Sequence, residues 1–74
     1  MDKAQMLIDA LGGTDNIDEV EPCITRIRVV VKDTDSVSES GLKEAGAFGV
    51  VMQQNRVVQV VLGPEAEVLA EQMM

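Results

Sequence analysis

The chain opens on a helical period. Ala4, Leu7, Ile8 and Leu11 recur at the spacing that places them on one face of a helix. Asp2 stands where an N-cap belongs, and Gly12-Gly13 ends the run, the first glycine well placed for a left-handed C-cap. Residues 16–21 read as a short polar strand anchored by Ile17 and Val20. Pro22, which has no N–H to give to a ladder, breaks it. A period of two then takes over. Along residues 24–32, Thr25, Ile27, Val29 and Val31 fall on one face, and Ile24, Arg26, Arg28, Val30 and Lys32 on the other. The first set is expected to face the core, which leaves both arginines pointing the same way on an open face.

Residues 33–37 read as a loop. Ser38 caps a second short helix running through Ala45, with Leu42 and Ala45 inward and Gly46 closing it. Residues 49–53 and 56–62 have the pattern of a hairpin turning at Gln54-Asn55, where asparagine tolerates the left-handed conformation of a tight turn. In its last strand Val58, Val60 and Leu62 alternate with Val57, Gln59 and Val61, and Gln59 is the odd polar member. Gly63-Pro64 opens a third helix whose inner stripe is Ala66, Leu69, Ala70 and Met73. Helix, strand, strand, helix, strand, strand, helix is an α+β order. It predicts a four-stranded, mostly antiparallel sheet with three helices packed on one face, leaving Arg26, Arg28 and Gln59 on the other.

Size and charge narrow what such a fold does. At 74 residues the chain is one domain spanning residues 1–74, without linker or repeat. A domain of this length buries only about 60% of its unfolded surface, so its chemistry should lie on the surface and be completed by a partner. With one Phe and neither Trp nor Tyr, the core must be built from Val, Leu, Ile, Ala and Met. The five methionines, Met1 and Met74 among them, read as core, cap or end residues rather than a cofactor box. A net charge of −7 argues against nucleic acid and against an anionic membrane surface. No apolar run approaches the roughly 20 residues that span a bilayer, so direct membrane insertion is not expected. No signal peptide is visible, and a single free cysteine fits a reducing cytoplasm. With no His and no cluster of metal-ligand spacing, neither a metal nor another cofactor is expected.

Candidate chemistry concentrates in Pro22-Cys23-Ile24-Thr25-Arg26-Ile27-Arg28. A proline-punctuated turn exposes the Cys23 side chain and frees nearby backbone N–H groups, that of Ile24 among them, to form a concave anion nest. Arg26 and Arg28 on the adjoining strand favour the thiolate and suit phosphoryl oxygens, and Thr25 adds a hydroxyl. A nucleophile, backbone donors, a hydroxyl and two cations are what phosphoryl transfer requires, since positioning and charge stabilisation dominate its catalysis. Spacing alone leaves a plainer reading open. A lone cysteine in a small domain is usually an apolar filler, and alternating arginines are usually a solvated face.

The wider pattern resolves the choice. Cys23-Ile24-Thr25-Arg26-Ile27-Arg28 resembles the C-I-T-R-[LI]-R signature of IIB domains in the glucose/N-acetylglucosamine-type sugar phosphotransferase system. Leu11-Gly12-Gly13 with Asn16-Ile17, Leu42-Lys43 with Gly46-Ala47-Phe48-Gly49-Val50, and Gln59 with Gly63-Pro64 resemble that family's L-G-G-x-x-N-I, L-K-x-x-G-A-x-G-V and Q-x-x-x-G-P segments. The resemblance implies a bacterial phosphocarrier with a glucose-permease IIB-like fold, located in the cytoplasm at the inner face of the membrane. By it, Cys23 accepts a phosphoryl group from a phosphohistidine of the IIA partner. Cys23 then passes that group to a sugar bound in the IIC membrane permease. Arg26 and Arg28 match the basic pair implicated in onward transfer, and Thr25 and Gln59 match polar positions near the phosphocysteine. Arg56 departs from the small residue or glycine often found in the last hairpin turn, and Glu44-Ala45 from a more apolar pair. The competing expectation is a regulatory or adaptor domain of the same fold that binds without turnover.

Overall fold

A computed structural model describes residues 2–73; Met1 and Met74 lie outside the described residues. Helix α1 spans Lys3–Ala10, and the Asp2 carboxylate caps it by accepting the Gln5 N–H at 2.8 Å. Gly12 and Gly13 follow at φ +104° and +93°, a region that L side chains rarely adopt, so the helix stops where the two glycines stand. Strands β1 (Ile17–Pro22) and β2 (Arg26–Val31) form one hairpin, and β3 (Gly49–Gln53) and β4 (Val57–Val61) another. Helix α2 (Glu39–Glu44) lies between the hairpins in sequence, and α3 (Ala66–Met73) follows the second. The sheet is antiparallel throughout, in the order β1-β2-β4-β3, with β2 and β4 at its centre.

One side of the sheet holds the core. Ile27, Val29 and Val31 of β2 and Val58 and Val60 of β4 join Leu7, Leu11, Leu42, Leu62 and Leu69 in a single buried cluster. Helix α3 packs on β1 and β2, α2 on β3, and α1 against both other helices. Each fully buried Leu or Val contributes about 1.5–3 kcal/mol of transfer free energy, and no aromatic side chain adds to it. Among the described residues no helix is long and apolar enough to cross a membrane.

Local differences from the sequence expectation have physical causes. Strand β2 begins at Arg26 rather than residue 24, because the chain is still turning at Ile24 and Thr25. Thr25, expected on the core face with Ile27, is therefore exposed. Pro22 does not break β1 but is its last residue, paired with Ile27; β1 is an edge strand, where the missing N–H goes unnoticed. Ile8 is half-buried, and Met6 packs against the core from the same helix. The Gly63-Pro64 segment forms a 3-10 turn, Gly63–Glu65, ahead of α3, and residues 34–36 form another inside the expected loop.

Two details were not anticipated. Asn16 is buried: its amide donates to the Leu11 and Asp33 carbonyls at 2.7 and 3.0 Å and accepts the Asp33 N–H at 2.9 Å. It joins the end of α1 to the end of β2. The second hairpin turns one residue later than expected, with Asn55 and Arg56 both at φ +63°, in the left-handed region. Of the Glu44-Ala45 pair, Ala45 is buried and Glu44 exposed, which accounts for their polarity.

Candidate functional site

The loop between β1 and β2 is fixed at both ends. The Cys23 N–H donates to the Arg26 carbonyl at 2.7 Å, extending the ladder one step beyond the Pro22–Ile27 pair. The Thr25 carbonyl accepts from the Leu62 and Gly63 N–H groups at 2.9 and 2.8 Å, which ties the loop to the end of β4. The Cys23 amide is thus already used in the turn. Those of Ile24 and Thr25 donate to no protein group among the described residues. They are the two N–H groups at the loop that remain available to an anion. Cys23 itself is a free, exposed thiol.

Strand register sets the side chains around it. Paired residues of an antiparallel ladder point to the same face. One rung across the open face is Glu21, Arg28, Gln59 and Val51. The rung above it runs from Cys23 through Arg26 and Val61 to Gly49. The thiol and the two guanidinium groups therefore belong to adjoining positions of one surface. Arg26 Nη1 donates to Gln59 Oε1 at 2.8 Å, and Gln59 Nε2 donates in turn to Gln53 Oε1 at 3.2 Å. Arg28 Nη1 lies 3.7 Å from Glu21 Oε2. Each arginine therefore has a partner other than Cys23, one an amide and the other a carboxylate.

Large apolar side chains flank the loop. Ile24 is 80% exposed and Phe48 78% exposed, unusual values for residues of this size. Phe48 sits over Gly63: a Cβ added there would stand 3.1 Å from the ring, and φ of +76° disfavours one in any case. The Gly63 N–H is one of the two that anchor Thr25, so Phe48 and the Cys23 loop border the same end of the sheet. Two surface clefts, one lined by Ile8, Ile17, Val20 and Met73 and the other by Met6, Ala10 and Gly41, do not include Cys23. The reactive group stands on open surface.

Of the residues singled out in the sequence, Cys23, Arg26, Arg28 and Gln59 come together on one face, joined by the free Ile24 amide. Thr25 lies in the loop, through a turn rather than through strand alternation. Glu21, Gln53 and Phe48 were not singled out. Glu21 was findable: counting back two from Cys23 places it on the same face, across from Arg28. Gln53 and Phe48 depend on β3 and on the loop before it, whose register the sequence does not print.

A family model described as "phosphotransferase system, EIIB" matches residues 5–37. The N-acetylglucosamine-specific EIIB component of Streptomyces coelicolor is 50% identical over 68 residues, covering 92% of this chain and 87% of that protein. The N-acetylglucosamine-specific EIICB component of Bacillus subtilis is 44% identical over 92% of this chain, which spans only 15% of that longer protein. A crystal structure of one domain of the IIabc component from Clostridium difficile superposes with a TM-score of 0.81. That match covers 96% of this chain and 74% of the other, at 28% identity. EIIB domains work in general with IIA and IIC, and in relatives such as the Bacillus protein EIIB is fused to IIC. The chain therefore belongs to the EIIB family of the phosphotransferase system, in the glucose/N-acetylglucosamine class, as a phosphocarrier of sugar uptake working through a cysteine phosphoryl intermediate.

Proposed function

We propose that Cys23 is the residue that carries the phosphoryl group. The observation that carries this reading is its position: the chain's one cysteine is exposed, beside two free amides and in the rung of Arg26. The Cys23 thiolate attacks the phosphorus of a phosphohistidine on IIA. An S–P bond forms as the N–P bond breaks, and the electron pair returns to the imidazole nitrogen. The Ile24 and Thr25 amides, the Thr25 hydroxyl and Arg26 receive the phosphoryl oxygens. A hydroxyl of the sugar bound in IIC then attacks. An O–P bond forms as S–P breaks, the electron pair stays on sulfur, and the hydroxyl proton leaves to a base outside this chain. Arg28 supports this second step by balancing charge on the transferring group, and Gln59 holds Arg26 on the open face.

IIA and IIC dock in turn on the surface around the loop. Ile24 and Phe48 supply its apolar contacts, and Arg26 and Arg28 give the otherwise acidic domain a local positive patch that steers an acidic rim. The domain acts in the cytoplasm, at the inner face of the membrane. Sugar choice resides mainly in IIC, the partner that binds the sugar. The test is intact mass spectrometry after incubation with phosphoenolpyruvate, the general phosphotransferases and a cognate IIA. One added phosphate, lost in Cys23→Ser, is the expected result. The absence of any adduct would instead make the domain an adaptor.

A further inference from the structure

Glu21 is an open-face residue that the transfer chemistry does not use, and it sits beside the thiol. Glu21 lies two residues before Cys23 on the same side of the hairpin, roughly 7 Å away by strand geometry. Its carboxylate is 3.7 Å from Arg28 Nη1, and it is Arg28's cross-strand neighbour. A phosphoryl group on Cys23 therefore arrives next to a resident negative charge. That charge already holds one of the two cations the phosphoryl group needs.

From this juxtaposition we infer that Glu21 is a positioning residue that competes with phosphocysteine for Arg28 and so keeps the S–P group ready to leave. The inference rests on the reading of Cys23 as the carrier. Glu21 is the carboxylate that pairs with Arg28 on the open face. On loading, Arg28 is divided between two anions, and Glu21 repels the newcomer. Both effects act against phosphocysteine and neither acts on the free thiol as strongly. A carrier benefits from that balance, since a deeply stabilised S–P bond would not pass its group onward. Glu19 and Asp18 are the other acids on β1. Asp18 is paired with Lys32 at 2.8 Å, and Glu19 faces Val30 one rung further from the thiol. Glu21 is therefore the acid placed to act.

The test is the phosphoryl-exchange equilibrium between phospho-IIA and this domain, read by intact mass at fixed protein ratio in low salt. Glu21→Gln removes the charge and keeps the shape. It is expected to shift the ratio toward phospho-Cys23 about five-fold, the size of a single like-charge contact near a surface. The shift should shrink in 0.5 M salt, where exposed charges at this range are screened. Glu21→Asp, which keeps the charge, should restore the wild-type ratio. A purely structural ion pair predicts a lower melting temperature without a directed, salt-sensitive shift. An unchanged ratio in Glu21→Gln, or one moved toward phospho-IIA, overturns the inference while leaving Cys23 as carrier. A wild-type domain that takes up no phosphate overturns both.

Discussion

Replacing Arg56 with glycine should make this domain more stable. Arg56 holds φ +63° in the β3–β4 turn, and the residue before it, Asn55, does the same. An L side chain in the left-handed region costs about 1–2 kcal/mol, of which asparagine relieves part and arginine none. Glycine removes that strain but returns roughly 0.5–1 kcal/mol through the greater freedom of the unfolded chain. The net gain is about 0–1.5 kcal/mol, with about 0.5–1 kcal/mol at its centre. The Arg56 carbonyl accepts the Val31 N–H at 2.9 Å, a backbone contact that glycine keeps. For a domain of 60–100 residues such a gain raises the melting temperature by about 2–8 °C. Thermal unfolding followed by circular dichroism reads it. Arg56→Ala is the control, because it removes the charge and keeps the strain. Phosphoryl acceptance should not change in either variant, since the turn lies at the end of the sheet away from Cys23. A glycine variant melting no higher than the alanine variant would refute the argument.

Other outcomes follow from the same geometry. Asn16→Leu should cost about 1–3 kcal/mol in urea unfolding, because it leaves the part-buried Asp33 N–H and the buried Leu11 carbonyl without partners. Arg28→Ala should slow transfer to sugar by roughly ten-fold or more while slowing acceptance from IIA less, with single-turnover assays of the two steps separating them. Phe48→Asp, on a side chain 78% exposed, should leave the melting temperature within a few degrees but weaken binding to IIA in calorimetric titration.

Much of this fold was legible because its signals are local. Gly12-Gly13 ends α1, the strict alternation of Ile27, Val29 and Val31 against Arg26, Arg28 and Val30 marks β2, and Gly63-Pro64 separates β4 from α3. The site was legible in its residues because one short segment holds the thiol and both arginines. What escaped was register and backbone sign. Thr25 continues the period-two pattern, so only the turn closed by Cys23 and Arg26 takes it out of the core face. A register shift between Ile17 and Glu19 changes the pairing at the far end of β1, and no spacing in the sequence announces it. Asn16 reads as the start of a strand, since its burial depends on Asp33, distant in sequence. The turn at Asn55-Arg56 was displaced by one residue because arginine gives no sign of a left-handed backbone.

The central claim is that one surface thiol carries the phosphoryl group between two proteins. The most direct measurement locates the phosphate on the intact domain after exposure to phospho-IIA, under conditions that preserve S–P bonds, with fragment ions assigning the site. The account predicts a single phosphate on Cys23, discharged when IIC and sugar are added. A phosphate on any other residue, or one that IIC and sugar leave in place, would contradict it.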